Sequence, residues 1–212
     1  MLQVLGRVSS INVRKVLWTC DELGLAFVRE DWGSGFRSPQ SAEFLALNPN
    51  ALIPVIRESE SDGDDFVLWE SNTICRYLAA KQGRADLLPV DAQARARVEQ
   101  WMDWQGGELN NAWRYAFLAL VRTSAAHRDA AAIEASRQGW NRHVAILDAQ
   151  LERTGAFVTG PVFTLADIVL GLSVHRWLST PIDRPELTAV AAYVERLRQR
   201  PAFTRHTSKD TP

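Results

Sequence analysis

The fold of the first part of the chain is decided by two short, mainly apolar segments, Leu52-Ile53-Pro54-Val55-Ile56-Arg57 and Phe66-Val67-Leu68-Trp69-Glu70-Ser71. An acidic, glycine-containing stretch, Glu58 to Asp65, separates them, and this arrangement is typical of an antiparallel hairpin. Taken alone, Pro54 is expected to open an edge strand with a trans peptide bond, because only about 5% of X-Pro bonds are cis. A helix is expected from about Ser71 to Ala80. The sequence therefore predicts a hairpin followed at once by a helix.

The residues before the hairpin predict an alternation of strands and helices. Apolar residues form a strand from Leu2 to Leu5 and recur at helical spacing from Val13 to Leu23, after which Gly24 supplies a stop. A second strand at Ala26 to Asp31 and a short helix at Ser41 to Leu47 follow. The order βαβαββα predicts a mixed sheet in which the first two strands are parallel and the last two are antiparallel.

The strand pattern disappears after Gln82. We predict a first domain over residues 1–82, a linker over 83–91 and an all-helical domain over 92–212. The first helix of that domain is long and carries Gly106-Gly107 in its middle, where a bend is expected. Three further helices are predicted, at about residues 131–153, from Thr164, and at about residues 186–200 before Pro201.

Composition and charge argue against several classes of protein. The 212 residues carry 24 Lys and Arg against 25 Asp and Glu, and no basic face suited to nucleic acid or to a membrane surface is visible. No apolar stretch approaches the length of a membrane span, and the N-terminus lacks a leader pattern, so we expect a cytosolic protein. Cys20 and Cys75 lie on apolar sides of helical patterns and are expected to be buried free thiols, without a disulfide or metal site.

Three polar motifs stand where helices are predicted to begin. Thr164-Leu165-Ala166-Asp167 is a capping box, which is a folding device and carries no catalytic weight. Ser9-Ser10-Ile11-Asn12 lies between strand one and helix one, where amides and the helix dipole favour an anion, although a serine N-cap is expected in any protein. Glu70-Ser71 is suited to the ammonium and carboxylate of an amino-acid head group, or is a solvated Glu beside an ordinary cap.

Taken together, these motifs resemble the soluble glutathione transferases. The resemblance spans nearly the whole chain and rests on Ser10, on Asn48-Pro49-Asn50-Ala51-Leu52-Ile53-Pro54-Val55, on Leu68-Trp69-Glu70-Ser71-Asn72-Thr73-Ile74, on the helical second half and on Phe163-Thr164-Leu165-Ala166-Asp167-Ile168. It implies a bacterial serine-type (theta- or nu-like) member with an α/β thioredoxin-like N-terminal domain and an all-α C-terminal domain. It also implies a cis bond before Pro54 and a homodimer.

The activity that the resemblance implies is activation of the glutathione thiol and its conjugation to a small apolar electrophile, as in detoxification. Glutathione is then a co-substrate, and no other cofactor is implied. Six residues would hold it: Leu52, Ile53, Pro54, Glu70, Ser71 and Asn72. Among them, the Ile53 backbone would pair with the cysteinyl part, and Glu70 with Ser71 would hold the γ-glutamyl group.

The partner of the sulfur is open among three residues. Ser10 is a candidate because serine-type members place their active serine just before helix one. Those members usually have a proline two residues later, where this chain has Asn12, but closely similar bacterial members carry a Ser-x-Asn-Val pattern. Ser10, Asn12 and Ser9 are therefore all catalytic candidates. Ala51 stands where the family usually has glycine, which is expected to stiffen or shift the approach to Ile53.

The wall for the electrophile is expected to face an interdomain cleft and to include Arg7, Trp32, Phe36, Trp104, Trp113 and Tyr115. Three alternatives stay open: a glutathione-dependent disulfide reductase, an isomerase that uses glutathione, and a non-catalytic ligand-binding or dimerisation module. The absence of cysteine at positions 9, 10 and 12 counts against a reductase that uses its own thiol. Ile11-Asn12-Val13-Arg14 lacks the aromatic residue and arginine that follow the double serine of the isomerases.

Overall fold

The computed structural model describes residues 1–59 and 65–207, which form two compact units. The first unit is Met1–Ala85, and the second begins at Asp86. The first unit contains, in chain order, β1 Leu2–Leu5, α1 Ile11–Leu23, β2 Phe27–Glu30, α2 Ala42–Leu45, β3 Val55–Glu58, β4 Phe66–Trp69 and α3 Ser71–Lys81. This is the predicted thioredoxin-like order. Residues 60–64, most of the predicted hairpin turn, lie outside the described residues.

The four strands form one mixed sheet in the order β2-β1-β3-β4. β1 pairs with β2 in parallel, whereas β3 is antiparallel to both β1 and β4, which confirms the predicted topology. The register places Leu5 beside Glu30 and Val55, and Val55 beside Trp69. These four residues define one edge of the sheet, which we call the Leu5 edge. Both α1 and α3 begin there, so two helix N-termini lie at the same edge.

Buried apolar residues of the sheet and of the two helices packed on it stabilise the short strands of the first unit. Val4 and Ile56 are fully buried in the sheet, and Val16, Ile74 and Leu78 are buried on α1 and α3. Cys20 and Cys75 are also buried and free, as predicted, and burial raises the pKa of Cys20 to about 12 and that of Cys75 to about 11. Both sulfurs therefore stay protonated at neutral pH.

Among the described residues of the second unit, the regular elements are all helices. Its elements are α4 Ala92–Trp104, a π-helical turn Gln105–Leu109, α5 Asn110–Leu120, α6 Ala130–Thr154, α7 Leu165–Ser179, α8 Thr188–Arg198 and α9 Pro201–His206. The bend predicted at Gly106-Gly107 is thus a π-helical turn, in which the buried Gln105 side chain donates to Asn110 and Ser173 at 3.1 and 3.0 Å. Pro201 was predicted only to follow the last helix; it also begins α9 at a position where proline is well tolerated.

Within residues 1–59 and 65–207, no helix is long and apolar enough to cross a membrane. The same ranges contain no group of three or more His, Cys, Asp or Glu side chains able to hold a metal ion.

Candidate functional site

The predicted site residues of the first unit converge on the Leu5 edge. The loops that follow β1, β2 and β4 and the loop that precedes β3 all meet there because of the strand directions. On these loops, or on the first turns of α1 and α3, lie Arg7, Ser9, Ser10, Asn12, Trp32, Phe36, Leu52, Ile53, Pro54, Glu70, Ser71 and Asn72. The edge therefore brings together the candidate residues for sulfur chemistry and those for head-group recognition.

Ile53 is held by close packing against the loops that follow β1 and β2. The Ile53-Pro54 peptide bond is cis, as the resemblance implied and in contrast to the trans bond expected from the residues alone. A Cβ at Gly6 would lie 3.2 Å from the Ile53 Cβ and 2.5 Å from Val13, and a Cβ at Gly33 would lie 3.2 Å from the Ile53 Cδ1. Glycine at position 6 therefore allows the Ile53 loop to approach the start of α1, and glycine at position 33 allows it to approach the loop after β2.

Asn48 organises the loop that presents Leu52 and Ile53. Its side chain is 2% exposed, donates to the Leu52 carbonyl at 2.8 Å and accepts from the Asn50 backbone at 3.0 Å. Ala51 has a φ of +54°, the left-handed conformation that glycine adopts more readily. In the sequence, Asn48 appears only as part of a motif, and this role was not predicted. An asparagine before proline at a helix end was the available signal.

Glu70 and Ser71 form the junction between β4 and α3. Glu70 is exposed and has a φ of +73°, which costs a non-glycine residue on the order of 1–3 kcal/mol and is typical of functional positions. No described side chain caps α3, so its first backbone N–H groups face the Leu5 edge without a side-chain acceptor. Such an N-terminus favours an anion, and an adjacent carboxylate favours a cation. The junction is therefore suited to a zwitterionic head group.

Lys15 supports this junction from α1, a role that was not predicted from the sequence. Its side chain is 1% exposed, and its Nζ donates to the Asn72 Oδ1 at 3.2 Å. The bond links the first turn of α3 to α1 and adds a buried positive charge near the helix N-terminus. A lysine on the buried face of an amphipathic helix has no distinct signal in the sequence.

The three sulfur candidates differ in their surroundings. Ser10 is the N-cap of α1, and its hydroxyl accepts from the Val13 amide at 3.5 Å while it can still donate its own proton. The Asn12 Oδ1 is buried and has no hydrogen-bond partner among the described residues. Ser9 is half-buried one residue before the cap. Ser10 and Asn12 thus both place side-chain polar atoms at the positive end of α1, and the choice among the three stays a prediction.

Two of the residues predicted to line the electrophile site are core residues. Trp32 is 2% exposed and packs on Phe44 with a ring separation of 4.9 Å. Trp113 is 8% exposed and packs between Phe117 and Trp140. Their assignment to a wall is therefore corrected, because a ring that fills a core offers almost no surface to a ligand. Composition alone does not separate core tryptophans from site tryptophans.

The other residues of the predicted wall keep some exposed surface. Phe36 is 57% exposed on the loop after β2, and the Arg7 Nη1 donates to the Ser34 carbonyl at 3.0 Å. In the second unit, Trp104 is half-buried beside Trp101, and the Tyr115 hydroxyl accepts from the Asp129 amide at 3.3 Å. Their role in binding an electrophile stays a prediction.

Two models of known protein families match the chain, one in each half. Residues 9–81 match the family model described as Glutathione S-transferase, N-terminal domain. Residues 130–196 match the family model described as Glutathione S-transferase, C-terminal domain.

Individual relatives cover almost the full length. The chain is 38% identical over 202 residues to Glutathione S-transferase GstB of Escherichia coli K12, with 95% of each chain covered. It is 32% identical over 191 residues to the Disulfide-bond oxidoreductase YfcG of the same strain, with 85% of this chain and 82% of that one covered. It also resembles the crystal structure of a theta class glutathione S-transferase from Xanthomonas axonopodis pv. citri with glutathione bound, at 37% identity and a TM-score of 0.87, covering 97% and 96% of the two chains.

Proposed function

The chain belongs to the glutathione transferase superfamily, and we propose that it activates the glutathione thiol and transfers the sulfur to an electrophilic carbon of a small co-substrate. The observation that carries the proposal is the Leu5 edge itself. There, a strained Glu70 beside an N-terminus without a side-chain cap and the polar start of α1 occupy the same edge of one sheet. Glutathione has an amino-acid head group at one end and a thiol in the middle, so it fits both features.

Recognition of glutathione is assigned to two of the loops. The Glu70 carboxylate binds the α-ammonium of the γ-glutamyl group, while the Ser71 hydroxyl and the first amides of α3 bind its α-carboxylate. The Ile53 backbone pairs with the cysteinyl unit in the manner of a short strand. The packing of Ile53 against Gly6 and the Asn48 bonds support this role because they fix the position of that backbone.

Thiol activation is assigned to the start of α1. A free thiol has a pKa of about 8.5, so only a few per cent is thiolate at neutral pH. A hydroxyl donor and the helix dipole together can lower that pKa by about one or two. Lowering the pKa by one stabilises the thiolate by about 1.4 kcal/mol. Glutathione is the co-substrate, and because its thiolate is itself the nucleophile, the proposed reaction needs no other cofactor.

Retention on immobilised glutathione and conjugation of chlorodinitrobenzene test the proposal. We expect the purified chain to bind the resin, to elute with free glutathione, and to accelerate the reaction above the rate of glutathione in buffer. Binding without turnover would support a non-catalytic glutathione-binding module. If the chain neither bound the resin nor accelerated the reaction, the proposal would be wrong.

Substitution of the sulfur candidates separates their roles. Ser10→Ala should raise the pKa of the bound thiol by about one, because it removes a donor while the helix dipole is kept. The ultraviolet absorbance of the thiolate, titrated in the glutathione complex, measures that pKa. Asn12→Ala is the matched variant on the same turn. A raised pKa in Asn12→Ala together with an unchanged pKa in Ser10→Ala would exchange the two roles.

Glutathione-dependent disulfide reduction is a second candidate because of the 32% identity to the Disulfide-bond oxidoreductase YfcG. Cys20 and Cys75 are buried with raised pKa values, so such a reaction would depend on the sulfur of bound glutathione. Reduction of a small symmetrical disulfide, measured beside conjugation on the same sample, distinguishes the two activities. Faster disulfide reduction than conjugation, each relative to its rate in buffer, would favour the reductase.

A homodimer in the cytosol completes the proposal. Phe66 and Trp69 on β4, an edge strand of the sheet, are each 37% exposed, and an edge strand with exposed apolar side chains offers a surface for a second copy of the chain. A role in detoxification is consistent with the conjugation of electrophiles.

A further inference from the structure

Arg7 is fixed at the point where the sulfur chemistry is proposed. Its backbone N donates to the Trp32 carbonyl at 3.2 Å, and its carbonyl accepts from the Ser10 amide at 3.1 Å. Arg7 and Ser10 are therefore the two ends of one turn between β1 and α1. A side chain that leaves this turn starts close to the proposed partner of the thiol.

The guanidinium of Arg7 is held at one nitrogen only. Its Nη1 donates to the Ser34 carbonyl at 3.0 Å, while its Nε is buried without a hydrogen-bond partner among the described residues. A Cβ at Gly33 would lie 3.5 Å from that Nε and 3.2 Å from the Ile53 Cδ1. The Arg7 side chain and the Ile53 side chain thus meet over Gly33, beside the loop assigned to the cysteinyl unit.

The charge of Arg7 has no carboxylate partner among the described residues, unlike the charges of Arg29 and Arg37. Arg29 forms an ion pair with Asp31, and Arg37 forms ion pairs with Glu30 and Glu43 at 3.3 and 2.7 Å. No ion pair joins Arg7 to any carboxylate in the described part of the chain. A partly buried cation with an unsatisfied donor is unfavourable in the free protein and becomes favourable when an anion binds beside it.

We propose, resting on the transferase function above, that Arg7 binds a carboxylate of the electrophile, so that the co-substrate class is an apolar electrophile carrying one carboxylate. A planar guanidinium matches a carboxylate better than it matches a single sulfur atom. The γ-glutamyl carboxylate of glutathione is already assigned to the start of α3. Arg7 lies on the turn of Ser10, where an acceptor must approach the sulfur.

The reaction balances without an oxidant or a reductant. The glutathione thiol first loses its proton to solvent. The thiolate then attacks the electrophilic carbon and forms a C–S bond, and the leaving group, such as chloride, departs with the electrons of the broken bond. Arg7 takes no part in the bond changes; it orients the acceptor through its charge.

A matched pair of acceptors tests the proposal on the full chain with saturating glutathione. These are 4-chloro-3-nitrobenzoate and 4-chloro-3-nitrobenzamide, which share the leaving group and the ring and differ by one negative charge. Each kcat/KM is divided by the rate constant of glutathione in buffer. We expect the corrected ratio of benzoate to benzamide to be at least about 10, as one charge-assisted bond allows. Arg7→Met should bring the ratio close to one, and Arg7→Lys should keep part of it.

Arg37→Met is the control, because it removes a cation that already has carboxylate partners on the next loop, and its ratio should equal that of the wild type. A wild-type ratio near one, or an unchanged ratio in Arg7→Met, would overturn the proposal. An equal loss of kcat/KM with both acceptors in Arg7→Met would also overturn it. In that case, a raised pKa of the bound thiol would assign Arg7 to the thiolate. Weaker binding of glutathione would instead assign Arg7 to glutathione. Turnover of the benzamide with a ratio near one would leave the transferase function standing, whereas no turnover of any acceptor would reject both.

Discussion

Replacing Glu70 by alanine is expected to raise the Kd for glutathione by about 10- to 100-fold. The lost interaction is a charge-assisted hydrogen bond to the γ-glutamyl ammonium, which typically contributes about 1.5–3 kcal/mol. Because alanine keeps a Cβ at the same φ of +73°, the backbone conformation and its strain are retained. Quenching of tryptophan fluorescence or calorimetry on titration with glutathione measures the Kd.

Two further variants separate head-group binding from general charge effects. Glu70→Gln keeps an acceptor oxygen but removes the charge, so its Kd should lie between those of the wild type and Glu70→Ala. Glu152→Ala removes an exposed carboxylate from α6 in the second unit and should bind glutathione as the wild type does. If Glu70→Ala bound glutathione with unchanged affinity, the assignment of the γ-glutamyl group to the α3 N-terminus would be wrong.

Local signals predicted most of the first unit correctly. Alternating strands and helices and the stop at Gly24 follow from hydrophobic period and cap chemistry, and both are confirmed. Helix α3 begins at Ser71 as predicted, although no described side chain caps it. These features depend on residues close together in the sequence. The cis bond before Pro54 is different: its local preference favours trans, and only the resemblance to a family implied cis.

Features that depend on distant partners were missed. Lys15 acts on Asn72 across two helices, and Asn48 acts through a carbonyl of the following loop; neither side chain has a pattern that shows its partner. Trp32 was placed in the electrophile wall because it lies on a loop, but Phe44 packs on its ring. The loops that carry the candidate residues were predictable from the sequence, whereas the direction of each side chain was not.

The capping box of α7 also combines a local contact that the sequence predicted with distant contacts that it did not predict. The sequence predicted that Asp167 returns to Thr164, and its Oδ2 accepts from the Thr164 amide at 2.8 Å. The sequence did not predict that its Oδ1 accepts from the Val158 amide at 2.9 Å and from the Tyr193 hydroxyl at 3.1 Å. Burial raises the pKa of Asp167 to about 6, against the opposing effect of these donors. The carboxylate therefore joins α7, α8 and the loop before α7 as a buried anion at neutral pH.

Asp167→Ala is expected to lower the free energy of unfolding by about 3–5 kcal/mol, because it leaves several buried donors without an acceptor. Asp91→Ala removes the exposed N-cap of α4 and should cost about 1 kcal/mol.

The folded pKa of about 6 for Asp167 lies above the value of about 3.9 for an unfolded aspartate. The contribution of Asp167 to stability should thus be complete below about pH 4 and decline as pH rises to about 6, at up to about 1.4 kcal/mol per pH unit. Urea unfolding followed by tryptophan fluorescence measures both effects; equal losses in the two variants would show that Asp167 acts only as a cap.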